Sequence, residues 1–378
     1  MEVLKKKAII IRKRVPEKLR TANHRVGGVG SYYRALEKHL PEDIGLFDFQ
    51  ANMHNQSFIL AIYLLLKSYT KLILSIIKRE ADVYLINTSL DNVGIFRDGL
   101  IALLFRLFKV RFIVFFRGWH PATEYKINKQ SLTKQFFKRT FLSSNHIIVL
   151  STQFEKKLRD WGYSGQISIE TTVVDDDLIF SYQNNGKKPI SPDHFNLFYI
   201  GNVIKDKGIY EILEACNLLK NEGKDHINFI LAGDGKELDV AKSRSFSLNL
   251  PIVFTGYTVG DAKKELFNKA DLFVFPSYHE GMPNAVLEAM AFGLPVLTTM
   301  VGGIPDFFEE GKMGFYIDMY SPKDIVDKIK MLDDDRELVQ KISEFNFQYA
   351  RRFYASEASK RLSSIIYSVY DSIEPQNP

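Results

Sequence analysis

Cysteine is almost missing from the 378 residues. Cys216 stands alone, which excludes a disulfide framework and any metal site built from several thiolates. It falls in a helical pattern, where a lone thiol behaves as a small buried apolar side chain, and a reducing, cytoplasmic location is expected. An uninterrupted membrane-length apolar run is missing too. Residues 58–77 have the length, about 20 residues for a bilayer, but Lys67 and Lys71 interrupt them. Lys67, Lys71, Ser75 and Lys78 recur at helical spacing, which predicts an amphipathic helix packed on a sheet rather than laid on lipid. Residues 100–116 carry Arg106, Lys109 and Arg111 and read as a helix followed by a strand at 112–116. After Lys5-Lys6-Lys7 only Ala8 to Ile11 are apolar before Arg12-Lys13-Arg14, which predicts a first strand rather than an export signal. No internal repeat or low-complexity tract is present.

What is there fits two globular domains. The length exceeds one compact core, and 46% apolar with 25% charged residues is ordinary for a folded chain. The net charge of +5 conceals an asymmetry. Residues 1–190 hold 30 Lys and Arg against 17 Asp and Glu, whereas residues 191–378 hold 20 against 28. Between Arg106 and Arg139 nine basic residues meet one acid, Glu124. Lys126, Lys129, Lys134, Lys138 and Arg139 either face an anionic partner, such as phospholipid headgroups or an anionic acceptor, or form a solvated helix face.

Short apolar strands alternate with helical patterns, the signature of parallel α/β units. Strands are expected at 8–11, 82–87, 112–116 and 146–150, with helices at 31–39, 57–80 and 94–109. The polar stretch 183–193 has linker composition. After it, strands at 196–200, 227–232, 252–255, 271–275 and 295–299 are near-continuous in apolar character, as strands buried on both faces should be. The organisation expected is a first domain at 1–185, a linker at 186–195, a second domain at 196–355 and a terminal helix within 356–378. The apolar residues of that helix call for a partner, the first domain being the candidate. Two doubly wound sheets so joined would place a ligand in the cleft that their strand ends face.

The densest chemical signal runs from Asp271 to Pro295. A buried strand leads through Glu280-Gly281-Met282-Pro283-Asn284 into a helix carrying Glu288. Pro283 suits a helix start, Gly281 allows close backbone approach, and free amides at such a start attract anions. Glu280 and Glu288 can then border one crevice and accept hydrogen bonds from vicinal hydroxyls, as sugars and riboses offer. Taken alone, two such glutamates are equally a helix-dipole partner and a surface residue.

The run Glu-Gly-x-Pro-Asn-x-x-x-Glu-Ala-Met-Ala-x-Gly-x-Pro, with Gly302-Gly303-Ile304-Pro305-Asp306 after it, resembles the E-x7-E signature of retaining glycosyltransferase family 4. The resemblance covers nearly the whole chain and implies a GT-B fold, two Rossmann-like domains facing a central cleft. It further implies metal-independent transfer from a nucleoside-diphosphate sugar, with no other cofactor. Glu280 would grip the donor sugar and Glu288 the ribose, with Gly281, Met282, Pro283 and Asn284 beside the donor. Gly201-Asn202-Val-Ile-Lys205-Asp206-Lys207-Gly208 resembles the loop that holds the diphosphate; Lys207 is retained, but Asn202 stands where the family has an arginine, so a bidentate contact is lost. Gly233-Asp234-Gly235 resembles the turn near the nucleotide, and Gly256 and Tyr257 the neighbourhood of the base. Arg25-Val26-Gly27-Gly28 resembles the first-domain glycine loop near donor phosphate and acceptor. In Phe116-Arg117-Gly118-Trp119-His120, Arg117 replaces the family's histidine, which leaves Arg117 or His120 to act there. Asp175-Asp176-Asp177 reads as a turn or cap, and no metal site is expected. The acceptor expected is a glycan or lipid-linked sugar, in surface polysaccharide or glycoconjugate synthesis, with peripheral contact to an anionic membrane and no nucleic acid. Two competing readings are an epimerase-like enzyme of sugar nucleotides and a non-catalytic binder of anionic surfaces or nucleic acid.

Overall fold

The computed structural model of the chain describes residues 6–13, 28–49, 57–185 and 193–372. Contacts divide them into two units, one holding 6–13, 28–49, 57–171 and 358–372, the other 172–185 and 193–357. Residues 172–185, expected with the first domain, therefore cluster with the second. Residues 186–192 of the expected linker lie outside the described residues.

The first unit is a six-stranded parallel sheet of β1 (Lys6–Lys13), β2 (Ile44–Phe49), β3 (Ala81–Leu90), β4 (Arg111–Trp119), β5 (His146–Val149) and β6 (Gln166–Ile169), in the order β2-β1-β3-β4-β5-β6. Its helices are α1 (Gly28–Glu37), α2 (Phe58–Ile77), α3 (Asn92–Leu107), α4 (Pro121–Lys129), α5 (Ser131–Arg139) and α6 (Thr152–Asp160). The central strands are continuous in apolar character because helices cover both faces of such a sheet; Phe112, Ile113, Val114, Phe115 and Phe116 of β4 are all buried. Asp91 starts α3 by accepting hydrogen bonds from the Val93 and Gly94 amides at 2.9 and 2.7 Å, an N-cap that satisfies two otherwise orphaned donors.

The second unit contains α7 (Asp176–Asn185), then β7 (Phe195–Ile200), α8 (Ile209–Asn221), β8 (Ile227–Ala232), α9 (Leu238–Ser247), β9 (Ile252–Gly256), α10 (Gly260–Lys269), β10 (Leu272–Phe275), α11 (Asn284–Ala291), β11 (Val296–Thr298), β12 (Gly314–Tyr316), α12 (Pro322–Asp334) and α13 (Arg336–Tyr349). Its parallel sheet has the order β12-β11-β10-β7-β8-β9. The order reverses between β7 and β10, so the loops leaving their carboxyl ends diverge, and ligand crevices of open α/β sheets form at such a switch point. Cys216 is buried in α8, where burial pushes its thiol up.

The last helix, α14 (Ala355–Asp371), begins in the second unit, and its residues from 358 onward belong to the first. There Leu362, Ile366 and Val369 are buried, the Ser359 hydroxyl donates to the His39 carbonyl at 2.8 Å, and the Tyr367 hydroxyl donates to Asp43 at 2.7 Å. The Asp175-Asp176-Asp177 triplet caps helices. Asp175 accepts from the Asp177 amide at 3.1 Å, and Asp176 accepts from the Ser356 amide at 3.1 Å and its hydroxyl at 2.5 Å.

One expectation needs correction. The helix at 58–77 packs inward through Ala61, Leu72 and Ile76 together with Ser68 and Ser75, but its outward side is not polar: Ile59, Tyr63, Leu66 and Ile77 are exposed. The lysine spacing marks the outward side, which is itself largely apolar.

Candidate functional site

The switch point of the second sheet brings two loops together. β7 leads into the short 3-10 turn Lys205–Lys207, and Gly208 then opens α8 with φ of +71°, a left-handed conformation natural to glycine. A Cβ at Gly208 would lie 2.2 Å from the Pro276 carbonyl oxygen, so the loops after β7 and β10 touch backbone to backbone. The Tyr278 amide donates to the Asp206 carbonyl at 2.9 Å and seals the junction. This contact delivers Lys207 Nζ to the Glu280 carboxylate as an ion pair, while the same ammonium donates to the His279 carbonyl at 3.2 Å. The two side chains are 17% and 13% exposed, buried enough to be held in place and open enough to meet a ligand.

Glu280 is supported from a third loop. Gly302 has φ of +60°, and a Cβ there would come within 2.5 Å of the Glu280 and Gly281 carbonyl oxygens. The Gly303 amide donates to the Gly281 carbonyl at 2.7 Å. The turn Gly281-Met282-Pro283 then delivers α11, whose first residue is Asn284 and whose N-cap, Pro283, offers no side-chain bond to the helix amides. Glu288, in the second turn of α11, accepts from Lys263 Nζ of α10 at 2.6 Å. Nothing in the sequence around Lys263 marks it, because the pairing joins two helices and leaves no local pattern.

Both glutamates thus carry an ammonium partner. Each carboxylate still has lone pairs for ligand hydroxyls, while the neighbouring cation offsets the repulsion that a bare carboxylate would exert on a diphosphate. The strand ends beside them expose bare backbone. A Cβ on Gly233, at φ +134°, would lie 1.8 Å from the Gly201 oxygen, and one on Gly235 would lie 2.2 Å from the Val203 oxygen. The Gly233 amide donates to the Gly256 carbonyl at 2.7 Å, which joins the ends of β7, β8 and β9 at three glycines. Asn202 and Lys205 are exposed on the loop after β7, the Asn202 carbonyl accepts from the Tyr199 hydroxyl at 2.9 Å, and Tyr257 is exposed just beyond β9.

In the first unit, Gly27 lies outside the described residues and Gly28 opens α1. Arg117 sits near the end of β4 and is only 8% exposed. Its guanidinium carbon lies 3.6 Å from the centre of the Tyr32 ring and 4.6 Å from that of Phe115. Its Nε and Nη1 have no hydrogen-bond partner. Burial lowers the Arg117 pKa, pushes the Tyr32 hydroxyl up to about 12, and raises Glu170, which Arg361 Nε holds at 3.0 Å. A buried guanidinium with unpartnered N–H donors carries a desolvation cost that a hydrogen-bond acceptor would relieve. His120, by contrast, is exposed at the start of α4, where its carbonyl accepts from the Thr123 amide at 3.0 Å and its side chain caps nothing.

Comparison with known proteins meets this geometry at the second unit. Residues 182–349 match the family model described as glycosyl transferases group 1. The capsular polysaccharide biosynthesis glycosyltransferase CapM of Staphylococcus aureus is 27% identical over 222 residues, 58% of this chain and 55% of that protein. The N,N'-diacetylbacillosaminyl-diphospho-undecaprenol alpha-1,3-N-acetylgalactosaminyltransferase of Campylobacter jejuni is 30% identical over 162 residues, 43% and 40% of the two chains. The matched part therefore spans about half the length of these relatives or less. Anabaena HepE, crystallised with UDP, superposes with a TM-score of 0.67 at 15% identity, covering 96% of this chain and 100% of its own, a likeness of fold. The Lys207, Glu280 and Glu288 loops all lie inside the segment that matches the glycosyl transferases group 1 model, and the fold of the chain is like that of HepE.

Proposed function

We propose that the chain moves a sugar, with retention of anomeric configuration and without a metal, from a nucleoside-diphosphate sugar to a glycan or lipid-linked acceptor in surface polysaccharide or glycoconjugate synthesis. The observation that carries this reading is the Lys207–Glu280 pair, built from the two loops that diverge at the switch point of the second sheet. In this reading Glu280 accepts hydrogen bonds from the donor sugar's hydroxyls, and Glu288 accepts those of the ribose. Lys207 faces the diphosphate, whose negative charge grows as its bond to the sugar breaks, and a fixed cation stabilises that charge most where it is greatest. Gly201, Asn202, Gly233 and Gly235 let phosphate oxygens approach the backbone, and Gly256 and Tyr257 border the base. Departure of the diphosphate and attack of the acceptor hydroxyl take place on one face of the sugar. The names of the relatives support an envelope-glycan acceptor, one of them carried on diphospho-undecaprenol, and in this reading the reaction runs at the inner face of a membrane. HepE supports UDP as the first donor nucleotide to try.

The test is a panel of UDP-, GDP-, ADP- and CDP-sugars, read by thermal shift and by slow donor hydrolysis. One donor class is expected to raise the melting temperature. Glu280→Gln and Glu288→Gln are each expected to lower its turnover or affinity about 10- to 100-fold, the worth of a hydrogen bond to a charged group. No stabilising donor, or two glutamine variants that behave as wild type, would reject the assignment. Arg117 provides a separate expectation, because its free N–H groups suit an anionic group of donor or acceptor. Arg117→Lys keeps the charge but loses the planar fork, and should cut acceptor transfer about tenfold at an unchanged melting temperature. Full transfer by that variant would remove Arg117 from the site.

A further inference from the structure

Helices α2 and α3 of the first unit are apolar on their outward as well as their inward sides. In α3, Val93, Phe96, Leu100, Leu103 and Leu107 follow one another at helical spacing, and all are exposed, Leu107 at 74%. The inward side buries Ile95, Ile101, Ala102 and Phe105 beside Gly94, Asp98 and Gly99; Asp98 pairs with Arg97 at 2.6 Å, and a Cβ on Gly99 would meet the Phe136 ring at 2.6 Å. In α2 the exposed set includes Ile59, Ile62, Tyr63, Leu66, Leu74 and Ile77, with Ile59 at 81%. Its inward side buries Ala61, Leu72 and Ile76 with Ser68, which bonds the Leu64 carbonyl at 2.9 Å, and Ser75, which lies 3.0 Å from the Tyr84 hydroxyl. The Tyr69 hydroxyl donates to the Arg97 carbonyl at 2.8 Å, so the two helices meet at that point. A helix of a water-surrounded domain keeps its outward side polar, and exposed apolar faces of this extent mark an interaction surface.

The chemistry around this surface identifies its occupant. No acidic residue lies in α2, where Lys67 and Lys71 are exposed, and Lys78 and Arg79 follow its end. Arg106 and Lys109 stand at the end of α3. α2 is long and apolar enough to cross a bilayer, but Leu72, Ser75 and Ile76 are buried in the domain, so it remains attached to its sheet. A second copy docking the same face by two-fold symmetry would oppose these lysines to one another. We propose that the α2–α3 face docks in the plane of an anionic lipid bilayer, its apolar side chains entering the acyl boundary and its lysines meeting the headgroups. The inference rests on the first unit alone and is independent of the donor chemistry.

Co-sedimentation of the full chain with phosphatidylcholine vesicles, with and without phosphatidylglycerol, tests it. The wild type is expected to partition onto the anionic vesicles preferentially. Lys67→Gln with Lys71→Gln should weaken that partitioning about 30-fold, since each surface lysine contributes roughly fivefold. Phe96→Glu with Leu100→Glu should weaken it at least as much. Melting temperature and donor hydrolysis should stay unchanged in both variants, which separates this proposal from the reading of the donor site. Failure to bind either vesicle, equal binding to both, or a wild-type dimer that Phe96→Glu with Leu100→Glu dissociates would overturn it.

Discussion

Replacing Lys207 by methionine is expected to lower the turnover of the donor about 100- to 1,000-fold while weakening donor affinity by only about tenfold. The asymmetry follows from where charge develops. A bound donor diphosphate is already anionic, but the leaving diphosphate gains further negative charge as the bond to the sugar breaks, and a preorganised partner is worth more in that state than before it. Preorganisation is visible in the loop: Lys207 is tied to Glu280 and to the His279 carbonyl and does not have to be recruited. Methionine preserves the stem and removes only the charge, so the loop after β7 should keep its backbone. The same substitution frees Glu280, which is why the double variant is informative. Groups that act as a unit are non-additive, so Lys207→Met combined with Glu280→Gln should be no more than about threefold worse than Lys207→Met alone. Single-turnover rates with a donor from the panel decide the matter. A Lys207→Met rate within about threefold of wild type would remove the charge-stabilising role.

The contrast between what could and could not be read in the sequence follows from the range of each interaction. Five of the six strands of the second sheet were legible, β10 being apolar at every position and β7, β8, β9 and β10 each running into a Gly or Pro; the three-residue β12 has no such signal. Glu280 and Glu288 were legible because they lie in one continuous segment. Their pairings were not: Lys207 is marked by its own loop but lies 73 positions before Glu280, and the unmarked Lys263 lies 25 before Glu288. The capping work of Asp176 was open only in outline, since Ser356 lies 180 positions away. The α2 helix shows a related limit. Lysine spacing marks its outward side, but only the packed sheet shows that Ala61, Leu72 and Ile76 suffice to cover the inward side and that a second apolar side is left exposed.

Arg117 illustrates a different limit. Its identity, where the family has a histidine, was plain in the sequence, but burial beneath Tyr32 was not. An exposed arginine would exchange its hydrogen bonds with water at little cost. A buried one with two unused N–H groups keeps a desolvation penalty that a bound anion removes. The same charge thus has a far greater effect on binding at this position than any of the surface lysines of α4 and α5.

Gly233→Ala should be among the most destabilising single-atom changes in the second unit. Two penalties combine there. The φ of +134° lies where side chains are strained, and the added Cβ would sit 1.8 Å from the Gly201 carbonyl oxygen, a backbone atom that cannot swing aside. Relief requires the end of β7 to move off the end of β8, which also breaks the bond from the Gly233 amide to the Gly256 carbonyl. Strain of this kind costs about 1–3 kcal/mol, and the steric clash adds to it, so a loss above about 3 kcal/mol is expected. In a unit of this size that corresponds to a melting temperature lower by roughly 6–12 °C. Gly223→Ala is the matching control, because Gly223 has φ of +74° with nothing within 4 Å of its added Cβ. It should carry only the left-handed penalty, about 1–2 kcal/mol. The difference between the two melting temperatures isolates the contact of the strand ends. Donor stabilisation should vanish in Gly233→Ala and survive in Gly223→Ala, because only the first displaces the loop that carries Lys207. Equal melting temperatures in the two variants would show that the strand ends can separate at no cost, and the close backbone approach would then have no part in shaping the donor site.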